Sequence, residues 1–287
     1  MTRLSSLALT IATALLTSGA HASSKGEVLV LLSSENQLAL QDGKPYATGY
    51  YLNEFGVPAD QLLQAGYTVV LVTPKGNAPS VDPLSIDPQY FAGDASEMRR
   101  IEKVVQGLAD IGDTLSVKEV LASDMGRYAG LFIPGGHAPL IDLANNPDVG
   151  ALLRHFHEAG KPTAAICHGP IALLSAQRDP GSYQRMLARG ETPAATDWLY
   201  KGYRMTIFSD PEEQVFEGSL KGQRLLFYPA KAMATAGGDM AYAKAWQPNV
   251  VVDRELITGQ NPFSDKLLAK ALLEKLTEQA QGAEQAN

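Results

Sequence analysis

Short apolar runs, each closed by small polar residues, glycine or proline, alternate along this chain with segments of helical period. Residues 27–34, 68–73, 129–133 and 163–166 read as buried parallel strands, because consecutive apolar positions leave neither face polar. Residues 203–208, 225–228 and 250–253 are further extended candidates, and 253–255 reads as a turn into 256–258. Helices are expected over 58–66, 94–108 and 147–159, from about 169–170, and over 264–279, with a frayed tail at 280–287. Asp94 followed by Glu97 has the spacing of a capping box.

Strands alternating with helices predict an α/β fold: a doubly wound, mostly parallel sheet with helices on both faces, of flavodoxin-like type. No repeat or linker divides the chain, so residues 23–279 read as one domain. Within it, 176–201 has no clear period and reads as an insertion with short helices. Residues 1–22 stand apart. Arg3, the apolar stretch 4–16 and Ala20-His21-Ala22 form the three-part pattern of a secretory signal peptide cleaved after Ala22. That run is short for a membrane anchor, and charges or prolines interrupt every later one. An exported, periplasmic protein is the expectation.

Composition adds two constraints. A net charge of −7 without a basic run argues against nucleic acid or an anionic membrane as partner. A single cysteine excludes an internal disulfide and, in an oxidising compartment, raises the question of what the thiol does.

Cys167 lies in Thr163-Ala-Ala-Ile-Cys-His-Gly-Pro-Ile171, where a buried strand meets a helix with Pro170 in its first turn. Ala165 and Gly169 flank it at two residues either side, as a nucleophile elbow requires. A helix N-terminus there would favour thiolate over thiol. The alternative is a small buried hydrophobe. One βα unit earlier, Gly135 and Gly136 follow a strand and would let backbone N–H groups approach a ligand on the same sheet edge. His137 could line that pocket or pack locally. His155 and His157 are two apart on a helix, which does not place them on one face, so they read as surface residues rather than a metal pair. Trp198, Tyr200 and Trp246 fit a core more readily than a pocket wall. No zinc, phosphate-loop or dinucleotide signature occurs, so no metal and no cofactor are expected.

Phe132-Ile-Pro-Gly-Gly-His137 followed by Ala165-Ile-Cys-His-Gly-Pro170 resembles the ThiJ/PfpI superfamily, which has the class I glutamine-amidotransferase-like fold. Thr48-Gly-Tyr-Tyr-Leu-Asn-Glu54 with Pro58, Gly66, Val72-Thr-Pro-Lys-Gly76 and Leu256-Ile-Thr-Gly-Gln-Asn-Pro262 resemble its glutathione-independent glyoxalase III and holding-chaperone branch. The likeness covers residues 27–275. It implies Cys167 as nucleophile, His168 as the adjacent imidazole and Glu54 as a carboxyl group reaching the thiol. It also implies an oxyanion hole from the N–H groups of Gly136 and His168. The third, acidic member falls in Phe208-Ser-Asp-Pro-Glu-Glu213, at Glu213, with Asp210 and Glu212 as alternatives. The implied reaction converts methylglyoxal to lactate, with a small aldehyde as partner and a homodimer as the expected assembly. Two rival functions remain: a cysteine peptidase or amidase, and a holding chaperone with a redox-sensing cysteine. A glutaminase would need a late His-x-Glu pair, yet all five histidines lie at or before position 168.

Overall fold

The computed structural model describes residues 24–108, 114–194 and 197–286. The expected signal peptide therefore lies outside the described residues. In chain order the elements begin with β1 (Glu27–Leu31), β2 (Gln37–Ala39), β3 (Pro45–Ala47), α1 (Leu52–Gln64), β4 (Thr68–Thr73) and α2 (Ala95–Leu108). Then come β5 (Leu115–Ser116), α3 (Val117–Ala122), β6 (Tyr128–Ile133), α4 (Pro139–Asp142), α5 (Pro147–Glu158), β7 (Thr163–Ile166) and α6 (Pro180–Ala188). The chain closes with β8 (Arg204–Met205), α7 (Asp210–Ser219), α8 (Pro229–Ala236), β9 (Asp239–Met240), β10 (Val250–Asp253), β11 (Leu256–Gly259) and α9 (Asp265–Ala286).

Seven strands form the central sheet in the order β10-β11-β7-β6-β1-β4-β5. Every neighbouring pair is parallel except the hairpin β10–β11. Because strand side chains alternate, each strand feeds two cores. Val28, Val30, Phe132 and Ile166 pack with Phe55, Ile101 and Leu272 of α1, α2 and α9. Leu29, Leu31, Ile133 and Ala165 pack on the other side with Leu152, Phe156 and Ile171. This is the doubly wound α/β architecture. The order reverses direction at β1, between β6 and β4, and a crevice opens beyond the carboxyl ends of such strands.

Several expectations need correction. The first helix starts at Leu52, not residue 58, and Pro58 lies inside it. Proline suits a first turn, whereas at Pro58 its missing N–H gives up the helical hydrogen bond to the Glu54 carbonyl and its ring crowds that carbonyl. At α2, Asp94 accepts from the Ser96 and Glu97 N–H groups, while the Glu97 side chain turns to Arg100, so the capping box is half formed. After Cys167 the chain winds as a 3-10 helix over Gly169–Ala176 rather than an α-helix. Only Arg204–Met205 of the 203–208 segment is a strand. Residues 225–228 lie outside the central sheet, with a single bridge from Leu225 to Leu40. Pro229 explains their extended shape, since the residue before a proline is pushed out of the helical region and Tyr228 adopts ψ 129°. The expected frayed tail is helical, as α9 runs to Ala286.

Candidate active site

The turn after β7 places Cys167 beyond the sheet edge with φ +58°, a left-handed conformation that costs a non-glycine residue about 1–3 kcal/mol. Both of its backbone groups are tied down: its N–H donates to the Gly259 carbonyl at 2.8 Å and its carbonyl accepts from the Phe208 N–H at 2.9 Å. The side chain is 2% exposed, and its sulfur lies 3.2 Å from His168 Nδ1. The neighbouring turn, after β6, supplies the glycines. A Cβ at Gly135 would lie 2.4 Å from Glu54 Oε2 and 2.6 Å from Cys167 Cβ. Gly136 has φ +85°, and a Cβ there would meet the Gly49 carbonyl oxygen at 2.0 Å. Backbone therefore approaches the sulfur where any side chain would block it.

Glu54 comes from the first turn of α1 and is fully buried. Neither carboxyl oxygen has a hydrogen bond of ordinary geometry, although the Cys167 thiol and the Gly135 N–H both bear on its charge. Burial dominates and pushes the Glu54 carboxyl well above the usual carboxylate range. Burial likewise pushes the Cys167 thiol up, reinforced by the Glu54 charge, while the Gly136 N–H opposes it. The expectation of a resting thiolate is thus overturned: desolvation and an adjacent carboxyl group outweigh what the start of a short 3-10 helix offers.

His168 Nε2 lies 2.8 Å from Glu213 Oε2, and His137 Nε2 lies 2.8 Å from Glu213 Oε1. Glu213 is fully buried in the first turn of α7. Burial alone would raise its carboxyl, but the two imidazoles outweigh that and hold it at about 2. Burial, with His137 close by, lowers His168 to about 4, so its ring is neutral at pH 7. An ionised carboxylate only accepts, so His168 carries its proton on Nε2 and offers the Nδ1 lone pair to the thiol. Cys167, His168 and Glu213 form one hydrogen-bonded chain with Glu54 on the other side of the sulfur. The ligand atoms of His137, His168 and Glu213 lie within 4.8 Å of one another, close enough to hold a metal ion among the described residues. In this arrangement those atoms are already engaged in the two hydrogen bonds.

The alternatives for the acid are now placed. Glu212 points away from the histidines and accepts from Ser209 N–H and Oγ, Trp246 N–H, Gln260 Nε2 and Asn261 Nδ2. Asp210 is half-buried with one carboxyl oxygen unpartnered. The sequence held the distinction: Ser209-Asp-Pro-Glu212 is a capping box, which commits Glu212 to the helix start and leaves Glu213 free. His137 is buried against Phe216, with ring centroids 4.0 Å apart, so it does not open into a pocket. Trp198 and Tyr200 belong to the core on the far side, and only Trp246 comes near, 5.7 Å from Phe208. His155 and His157 are half-buried rather than surface residues, and His157 bonds Glu255 at 2.7 Å. Tyr51 and Tyr90, unremarked in the sequence, pack edge to face 5.3 Å apart beside Glu54 and Cys167.

Residues 46–182 match the DJ-1/PfpI family. Protein/nucleic acid deglycase HchA of Staphylococcus aureus (strain bovine RF122 / ET3-1) is 28% identical over 263 residues, spanning 90% of this chain and 82% of that protein. Glyoxalase III from Candida albicans superposes with a TM-score of 0.68 at 23% identity, covering 88% of this chain and 98% of that one. Rapid Encystment Protein 24 kDa of Francisella tularensis superposes with a TM-score of 0.66 at 21% identity, covering 88% and 99%. At such identities the two structures speak for the fold. Taken with the elbow at Cys167 and the sheet order, these matches make the chain similar to the DJ-1/PfpI family, with the family match itself confined to residues 46–182.

Proposed function

We propose that this protein is a glutathione-independent glyoxalase that converts methylglyoxal to lactate. The observation that carries the reading is a cysteine sulfur held between two groups, His168 Nδ1 at 3.2 Å and the buried Glu54 carboxyl. His168 takes the thiol proton as the sulfur adds to the aldehyde carbon, and the Gly136 and His168 N–H groups receive the oxygen's developing charge. Glu54 then removes the proton from the former aldehyde carbon and returns one to the adjacent carbon, passing through an enediol. The product of that step is a lactoyl thioester on Cys167. Water cleaves it, releasing lactate and restoring the thiol, so the sum is methylglyoxal plus water to lactate.

The site's closure favours a small free aldehyde over a polymer. Cys167 at 2% exposure presents no groove to a peptide, which weakens the peptidase reading, and a buried protonated thiol is slow to oxidise, which weakens the redox-sensor reading. The HchA relatives are named for deglycation of proteins and nucleic acids, chemistry that would bring a bulky adduct to the same sulfur. The deciding experiment supplies methylglyoxal without glutathione and follows lactate, with Cys167→Ser and Glu54→Gln alongside. Turnover by the wild type and its loss in both variants is expected. A wild type that leaves methylglyoxal untouched, or a Cys167→Ser variant that still makes lactate, refutes the reading.

A further inference from the structure

Glu213 has two oxygens and serves two imidazoles, only one of which faces the thiol. We infer that His137 is a positioning residue: by giving Glu213 its second hydrogen bond, it fixes the tautomer of His168 that faces Cys167. This rests on the reading of His168 as the group that takes the thiol proton.

Each contact is short and buried. Both imidazole Nε2 atoms lie 2.8 Å from separate oxygens of a carboxylate that is 0% exposed. A buried carboxylate with one oxygen unpaired is costly, and it relieves the cost by taking up a proton. A protonated Glu213 could donate to His168 Nε2, which would move the imidazole proton to Nδ1 and aim it at the sulfur. His168 could then no longer accept the thiol proton. With both oxygens filled, Glu213 stays an acceptor and that inversion is closed off.

The rest of the His137 environment fits a role exercised through Glu213 alone. Its Nδ1 is buried without a partner, so the ring's one hydrogen bond goes to Glu213. The ring is clamped by Phe216, stacked at 4.0 Å, by the edge of Tyr46 at 6.3 Å, and by His168 at 3.9 Å. The charged and titratable groups around the pair come from several elements. Asp210 shares α7 with Glu213, Tyr228 precedes α8, Glu212 bears on His168, and Asp82 bears on His137 from the connection before α2. Among the described residues none of Asp210, Tyr228 and Glu212 hydrogen-bonds a Glu213 oxygen, so His137 has no stand-in among them.

Side-chain reach supplies the test. Glutamine can bring an amide N–H to where Nε2 sits, asparagine reaches only as far as Nδ1, and phenylalanine keeps the stacking but donates nothing. The pH profile of kcat and KM is measured for wild type, His137→Gln, His137→Asn and His137→Phe. The pH profile of Cys167 alkylation by iodoacetamide is recorded for the same four proteins. Asn and Phe are expected to lower kcat on the acid side of the profile, where Glu213 gains its proton, with little change in KM. They are also expected to move the acid limb of both profiles up by about one unit or more. Gln is expected to restore both. If His137→Phe does not fold, the Asn and Gln pair still decides. Acid limbs that coincide in all variants overturn the inference, as does a Gln variant as impaired as Asn, or a change in KM alone. If the wild type does not turn over methylglyoxal the proposed function fails, whereas the alkylation profiles still decide the role of His137.

Discussion

Replacing Gly135 by alanine tests the closeness of backbone to the reacting groups. The added methyl would sit 2.4 Å from Glu54 Oε2, 2.6 Å from Cys167 Cβ and 2.6 Å from the Ile166 carbonyl oxygen. All three distances are roughly 1 Å short of comfortable contact. Ile166 is the last residue of β7 and Glu54 is fully buried, so neither neighbour has solvent to move into. Overpacking of this kind costs about 1–3 kcal/mol. For a chain of this size that is roughly 2–4 °C of melting temperature per kcal/mol. The larger effect should be kinetic. A displacement of about 1 Å between Glu54 and the sulfur is worth roughly 100-fold in rate. Thermal melts and methylglyoxal turnover on Gly135→Ala read both quantities. Gly107→Ala is the control: no atom lies within 4 Å of its Cβ position, so its melting temperature should hold or rise. A Gly135→Ala protein with wild-type melting and wild-type turnover would refute the packing account.

Three further outcomes follow from named contacts. Glu54→Gln keeps the shape of a fully buried side chain and removes a carboxyl group able to take up and return a proton. It should lose roughly 100-fold or more in turnover while melting close to the wild type; a variant that keeps wild-type turnover contradicts this. Glu212→Ala strands donors from Ser209, Trp246, Gln260 and Asn261, so chemical denaturation should show a loss of about 3 kcal/mol or more, against little change for Asp210→Asn. In acid, His168 (about 4 in the folded chain, 6.5 ordinarily) and Glu213 (about 2, against 4.5) are both depressed. Their contribution is therefore complete above about 6.5 and is lost as pH falls, first through the His168 value and then through that of Glu213. Melting temperature should drop across that window in the wild type and less steeply in Glu213→Gln; parallel curves would contradict the assignment.

How much of this was legible in the sequence depends on whether the signal was local. The strand at Thr163–Ile166 and the turn at Cys167 are encoded by neighbours: four buried residues, then a histidine, a glycine and a proline. The partners of the sulfur were less so. Glu54 reads as an ordinary exposed acid unless α1 is known to begin at Leu52, and Pro58 pointed to a later start. The run at 225–228 looked like a strand because apolar residues before a proline imitate one, although only Leu225 finds a strand-like bridge. The local signal at His137, its place after Gly135 and Gly136, suggested a pocket wall, whereas the carboxylate it meets lies 76 residues away in sequence. The thiol's protonation also escaped, since burial on two faces of a sheet is a property of the assembled fold and not of the elbow.

The polar knot at Glu212 has a consequence for how the site comes apart. Its donors belong to three separate stretches: the entry to α7, the connection between β9 and β10, and the turn after β11. A fluctuation that frees any one stretch leaves a buried anion short of partners, so the three should open together or not at all. Amide hydrogen exchange should then find the Ser209 and Trp246 N–H groups, which both end on this carboxylate, exchanging at a common rate. Glu213 is the next residue along, so the same opening would release the histidine pair. The acid of the site would be lost in one cooperative event, well before the parallel strands beneath it let go.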